Sequence, residues 1–108
     1  MLSKKERLSR SEFSRFFSVG RRIHSPFFTL LYSPHETLHA SVVVSKKNAK
    51  HAVTRNKIRR QIYDMVRRYR SEKKVSGVYI FLTKKSVLHT PYAVLKQEVY
   101  THLDSIQK

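Results

Sequence analysis

The chain has 108 residues, 40% of them apolar, and sets 23 Lys and Arg against 7 Asp and Glu for a formal net charge of +16. That length suits a single small domain with one core, and charge of one sign opposes compaction unless a polyanion neutralises it, nucleic acid being the commonest and an anionic membrane surface the rival. The lack of Cys excludes disulfides and thiolate metal sites, and with neither a signal-peptide core in MLSKKERLSRSEF nor an apolar run of about 20 residues, a soluble, cytoplasmic protein is expected.

The first helix is expected from Ser9, an N-cap with Glu12 three residues on in a capping-box pattern. Leu8 and Phe13 are placed to form a hydrophobic staple, and Phe13, Phe16 and Phe17 share one face by i, i+3, i+4 spacing. Gly20 suits the helix stop. FFTLLYS (27–33) and LHASVVVSK (38–46) read as strands, and SPHE between them is turn chemistry, so a hairpin is expected. KKNAKH (46–51) is a basic loop without Gly or Pro.

Thr54 is the expected N-cap of a second helix of about 15 residues. Ile58, Ile62, Met65, Val66 and Tyr69 follow the 3.6 period as one apolar stripe, with Arg55, Arg59, Arg60, Arg67 and Arg70 on the adjoining flank. SEKKVSG ends this helix. GVYIFLT (77–83) is the continuous apolar run of a strand covered on both faces. A last helix is expected from Thr90 as N-cap and Pro91 in the first turn, with Leu95, Val99, Leu103 and Ile106 facing the core. The order read from the residues is α–β–β–α–β–α.

Twelve of the 23 cations lie between Ser45 and Lys74, opposed only by Asp64 and Glu72. A solvated helix normally alternates signs to gain i,i+4 pairs. This one does not, so an outside anion is the better account, and counterion release makes a phosphate backbone a favourable one. Arg outnumbers Lys on the helix, which suits bidentate phosphate contacts. Asn56 either meets a base edge or ribose or holds the backbone at the helix start.

VTRNKIRRQI, preceded by SVVVSKK and followed by an arginine-bearing helix, resembles the RNR-motif region of the bacterial ribonuclease P protein component. RLSRSEFSRFFSVG is similar to that family's first helix, FFTLLY to its first long strand and GVYIFLTKK to its last. NAKHAV departs from the family in lacking a Gly and in being one residue longer. Lys57 stands at the third motif position, and Tyr63 where an Arg is common. The resemblance implies an α/β fold, an α+β two-layer sandwich with a central mixed sheet. An extra short strand would lie near residues 23–25, and the crossover would be left-handed, against the general preference.

It also implies one RNA-binding domain over residues 1–108, a subunit of the ribonucleoprotein that cuts the 5′ leader from precursor tRNA. The partners would be ribonuclease P RNA and precursor tRNA, with no DNA and no membrane. The RNA would hold the active site and its magnesium, and the protein no cofactor of its own. Lys46, Lys47, Arg55, Asn56, Lys57, Arg59, Arg60 and Arg67 are the expected RNA contacts. Single-stranded leader needs a sequence-tolerant surface of rings and cations. Phe13, Phe17, Phe28 and Tyr32 are the expected cleft, the other fate of such a Phe stripe being the core.

No protein-based chemistry is expected. The carboxylates form no acid and base pair, no Ser has arranged partners, and among His24, His35, His39, His51, His89 and His102 no HxxxH or HxH metal spacing is read. A small ribosomal-type structural RNA binder is the alternative. A helix-turn-helix is disfavoured by strands on both sides of the basic helix, and a membrane-active helix by an apolar face committed to a core.

Overall fold

The computed structural model describes residues 7–107. Helix α1 (Arg10–Val19) starts as its capping box dictates. Ser9 Oγ accepts the Glu12 N–H at 3.3 Å and the Glu12 carboxylate accepts the Ser9 N–H at 3.1 Å. These bonds, the backbone one first, hold the Glu12 carboxyl below the ordinary carboxylate range. Leu8 and Phe13 join one small apolar cluster, as a staple requires. Gly20 ends the helix in an extended conformation, φ −68°, so left-handed freedom is not its role. A Cβ there would lie 3.0 Å from the Phe16 carbonyl and 3.1 Å from Leu31 Cβ. The missing side chain lets the helix end rest on the sheet.

Four strands follow, β1 (Arg21–His24), β2 (Phe28–Ser33), β3 (Leu38–Val43) and β4 (Gly77–Thr83), in sheet order β1-β2-β4-β3. The expected hairpin between 27–33 and 38–46 does not form. β4 lies between those strands, antiparallel to β2 and parallel to β3. The cause is β4 itself, buried at six of its seven positions, which needs a neighbour on each edge and cover on each face. Residues 34–37 then span a gap of about two strand spacings, roughly 10 Å, which four extended residues reach. The hairpin that does form joins β1 and β2.

Helix α2 (Ala52–Glu72) connects the parallel strands β3 and β4. It has 21 residues and begins before the expected Thr54 cap; His51 is the N-cap, with no side-chain cap bond. Arg55 accounts for the earlier start. Its N–H donates to the His51 carbonyl at 3.1 Å, and its Nη1 reaches back to the carbonyls of Ala49 and Lys50, each at 2.8 Å. The stripe Ile58, Ile62, Met65, Val66 and Tyr69 is buried as its period required. Helix α3 (Tyr92–Gln107) buries Leu95, Val99 and Leu103, with Ile106 partly covered. Thr90 does not cap it, because the Thr90 hydroxyl donates to the Ser86 carbonyl at 2.8 Å and closes a short 3-10 helix, Lys85–His89.

Helices α2 and α3 cover one face of the sheet over Phe28, Leu30, Ala40, Val42, Tyr79 and Phe81. On the other face α1 covers Leu31, Val78 and Ile80 through Phe13 and Phe16. A polar clasp ties the end of α2 to α3. Tyr69 Oη and Lys73 Nζ both donate to Asp104 Oδ1, at 2.6 and 2.7 Å, and burial, then the carboxylate, pushes the Tyr69 phenol pKa up.

Gly77 opens β4 at φ +112°, and a Cβ there would fall 2.6 Å from Tyr32 Cε1. Gly77→Ala is expected to destabilise the fold by at least about 1 kcal/mol, a loss of roughly 4–8 °C in melting temperature at this size. Thermal unfolding by circular dichroism checks this, and an unchanged midpoint would contradict the crowding.

Candidate nucleic-acid interface

Burial of the apolar stripe fixes the roll of α2 and so decides where its cations point. Asn56, Arg59, Arg60, Tyr63, Arg67 and Arg70 recur at three- and four-residue steps along one flank. Arg59 Nη2 donates to Asn56 Oδ1 at 2.8 Å. Since the helix starts at Ala52, Asn56 does not hold its start; its amide orients a guanidinium. Lys57 leaves this flank and lines a groove beside the 3-10 helix with Val87, Leu88, Thr90 and Tyr92. Arg55 is turned inward onto the loop carbonyls. Arg67 and Arg68 clamp Asp64, each at 2.9 Å.

Lys46 and Lys47 are exposed on the turn after β3. That turn keeps its shape without Gly. The Asn48 N–H donates to Ser45 Oγ at 3.2 Å, its Nδ2 donates to the Thr83 carbonyl at 3.2 Å, and Ala49 is buried. Of the expected RNA contacts, the structure brings Asn56, Arg59 and Arg60 together. They line a groove of about 490 Å³ with Arg7, Val53 and Tyr63.

Tyr63, which looks in the sequence like a lost charge, is buried, and its hydroxyl accepts the Val42 N–H at 3.1 Å. β3 is an edge strand. The Arg7–Leu8 segment pairs with it at Ala40, the Leu8 N–H donating to the Ala40 carbonyl at 3.3 Å, and then turns into α1. Tyr63 satisfies the next edge N–H. Neither Arg7 nor Tyr63 carries a local signal, since their roles come from strand pairing.

The four expected cleft aromatics do not meet. Phe28 is fully buried, packed edge-on against Phe81 and His102 at centroid distances of 5.4 and 5.3 Å. Tyr32 is half-buried on the same face, 5.2 Å from Tyr79. Residues 28, 30 and 32 share a face by strand alternation, and it is the face under α2 and α3. Phe13 and Phe17 lie on the opposite face of the sheet, with rings 5.6 Å apart; Phe17 is 37% exposed, and the Arg22 guanidinium sits 5.4 Å over its ring. Thr29, Ser41, Val43 and Leu82, on that same sheet face, are only partly covered. The aromatic surface is therefore Phe13, Phe17 and Arg22 beside this open sheet, without Phe28 or Tyr32.

The expectation of no HxxxH spacing is wrong, because His35 and His39 stand four apart in HETLH, a spacing that on a helix sets two imidazoles side by side. Here the segment is a turn followed by β3. The rings meet at 4.9 Å, and Thr37 Oγ1 lies 2.8 Å from His39 Nε2. Among the described residues no group of three or more His, Cys, Asp or Glu is placed to hold a metal ion, and no helix is long and apolar enough to cross a membrane.

The profile of the family described as Ribonuclease P matches residues 2–107. A protein named "Ribonuclease P protein component" from a Nitratiruptor species is 30% identical over 100 residues, covering 93% of this chain and 90% of its own. Another of that name from Geotalea uraniireducens is 32% identical over 103 residues, covering 94% and 89%. The solved structure of the Staphylococcus aureus RNase P protein superposes with a TM-score of 0.80 at 20% identity, covering 95% of each chain. At that identity the superposition speaks for the fold.

The Asp64 clamp yields a prediction. The hydrogen bond from Arg67, then that from Arg68, holds the Asp64 carboxyl below its ordinary range, against an opposing effect of burial. A carboxyl lowered in this way contributes stability above the unfolded value of about 4 and loses it as pH falls through the folded value. With both guanidiniums exposed and Asp64 only partly covered, the clamp contributes little to the fold at neutral pH. Asp64→Asn is therefore expected to leave neutral-pH melting nearly unchanged while releasing Arg67 and Arg68. Affinity for a structured RNA should rise, with a log–log salt slope steeper by about 0.7–0.9 for each added phosphate contact. Equal affinity and slope would mean that these guanidiniums do not reach the RNA.

Proposed function

The chain belongs to the bacterial ribonuclease P protein family, and from that premise we propose that it binds the catalytic RNA of ribonuclease P through α2 and the single-stranded 5′ leader of precursor tRNA through α1. As a ribonuclease P protein it is a component of an endoribonuclease. The observation that carries the RNA reading is the flank of α2, where Arg59, oriented by Asn56, and Arg60 form a guanidinium face that the fold leaves without an acidic partner among the described residues. Side chains held by packing and by a neighbouring amide lose less freedom when a phosphate arrives.

Leader binding is supported by a different chemistry. Phe17 is the exposed ring of α1, with Arg22 over it and partly covered sheet beside it. A ring stacks on any base, and the cation attends the passing phosphate. In this reading the magnesium ions of cleavage are held by the RNA. This chain supplies positive charge between two polyanions and a surface for unpaired nucleotides, in the cytoplasm where tRNA is matured.

Reconstitution with a bacterial ribonuclease P RNA tests the reading. Cleavage of precursor tRNA by RNA alone and by RNA with protein is compared across a magnesium series. The protein should help most at low magnesium and low salt, where repulsion between the RNAs is least screened, and purified protein alone should not cut. Arg59→Ala with Arg60→Ala should flatten the log–log salt slope of RNA binding by about 1 to 2. Phe17→Ala should weaken leader-bearing substrate roughly 5- to 150-fold, from a stacking contribution of about 1–3 kcal/mol, with little change for mature tRNA. A ribosomal-type RNA binder would show no leader preference, and an unchanged slope in the double variant would remove α2 from the RNA interface.

A further inference from the structure

The groove along the first half of α2 has a second wall that belongs to neither the helix nor the sheet. Arg7 stands there on a short segment that pairs in parallel with β3 at Ala40. Arg7 Nε is buried and has no hydrogen-bond partner among the described residues. An unsatisfied buried donor in a guanidinium is unfavourable by itself, and since Arg7 also lines the open groove, an anion there would give the rest of its fork a partner. Facing Arg7 across the groove are Arg59, Arg60 and Asn56, with the Val53 side chain, 77% exposed, and the Tyr63 ring completing it. Among the described residues no Asp or Glu lines the groove.

We propose that this groove is a pocket for one RNA phosphodiester together with its attached nucleoside, and that Arg7 is an RNA-contacting residue. The proposal rests on the reading of α2 as an RNA-binding helix and adds a second element to that interface. Three guanidiniums from two directions suit the tetrahedral oxygens of a phosphate better than one helix face can, because planar forks approaching at different angles take different oxygens. The apolar contribution of Val53 and the Tyr63 ring suits a ribose or base face. A volume of about 490 Å³ accommodates a single nucleotide unit and little more of the chain.

The groove depends on the edge of β3. The backbone of the Arg7–Leu8 segment is held at Ala40, and α2 is held two residues further along by Tyr63 Oη on the Val42 N–H. Both walls are thus pinned to the same strand, at a fixed separation. The bonds that pin the Arg7 wall are backbone bonds. Changing the Arg7 side chain should therefore leave the wall in place and remove only the ligand contact.

The test compares Arg7→Gln, Arg7→Lys and Lys96→Gln in the full chain. Lys96 lies on α3 over the Tyr100 ring, outside the groove, and controls for loss of one charge anywhere. Two probes are titrated across a salt series, a bacterial ribonuclease P RNA transcript and a short single-stranded RNA of leader length. Arg7→Gln should flatten the log–log salt slope by about 0.7–0.9 for the probe that enters the pocket and weaken its binding roughly 5- to 30-fold near physiological salt. Lys96→Gln should do neither. Arg7→Lys should keep the slope, because the charge remains, and still lose several-fold in affinity, because the fork is gone. Whichever probe responds identifies the source of the phosphodiester.

An Arg7→Gln slope equal to wild type for both probes, or equal to that of Lys96→Gln, overturns the pocket. If Arg59→Ala with Arg60→Ala still flattens the slope in that case, the RNA-binding role of α2 stands without the pocket. If the double variant changes nothing either, both fall together. Melting temperature is read for every variant. Should Arg7→Gln fail to fold, Arg7→Lys carries the test alone, and wild-type affinity in that variant counts against the pocket.

Discussion

Everything in this fold waits on the burial of one stripe of α2. Ile58, Ile62, Met65, Val66 and Tyr69 are all at or near complete burial, and at about 1.5–3 kcal/mol for each buried side chain the stripe contributes on the order of 10 kcal/mol before entropy is counted. The opposing effect is the crowding of cations on the same helix. Exposed like charges are screened over a Debye length of about 8–10 Å at ordinary salt, so most of their repulsion is dissipated in water, whereas the burial is not. The apolar term wins, and a helix that would be repelled from itself in isolation is held against the sheet. The charges that no group of the protein engages then have one freedom left, which is to meet an anion from outside.

The fold sorts those charges before any partner arrives. Arg55 is spent on the carbonyls of Ala49 and Lys50, which lengthens α2 by a fraction of a turn and fixes the basic loop. Arg67 and Arg68 share Asp64. Lys73 is given to Asp104. What remains toward the β3 edge is Arg59, steered by Asn56, with Arg60 and Arg7. A count of positive charges over this helix would treat these residues as equal, but their hydrogen bonds divide them into groups that organise the protein and groups that face solvent.

Much of this was legible in the sequence because it is local. The Ser9–Glu12 capping box, the α2 stripe and the buried run of β4 each need only a few neighbouring residues to be recognised, and each is present. The strand order was not legible. Alternation places residues 28, 30 and 32 on one face but does not say which helix covers it, so Phe28 and Tyr32, expected in one cleft with Phe13 and Phe17, lie on the opposite face under α2 and α3. The hairpin expectation failed for the same reason, since a strand distant in sequence had to enter between two adjacent ones. Thr54 and Thr90 are sound caps by type, and what displaced them was the reach of Arg55 in one case and the Ser86 carbonyl in the other. Tyr63 read as a missing cation because its partner, the Val42 N–H, is 21 residues away.

The sheet between α1 and α2 gives the proposed interface two halves of different physical character. The α2 half is guanidinium chemistry, whose contribution falls as a power of salt concentration. The α1 half is a ring with a cation over it, and stacking is weakly sensitive to salt. One rigid four-stranded sheet carries both, with α1 over Leu31, Val78 and Ile80 on one face and α2 over Phe28, Leu30 and Phe81 on the other. A structured RNA held by the ionic half and an unpaired strand held by the stacking half would therefore be set at a fixed distance by the sheet, without direct contact between the two surfaces. Changes in salt would move the balance between them without moving the geometry. In that proposed arrangement the protein would act as a spacer between two RNAs, and the packing that buries Ile62 and Phe81 would give the spacer its length.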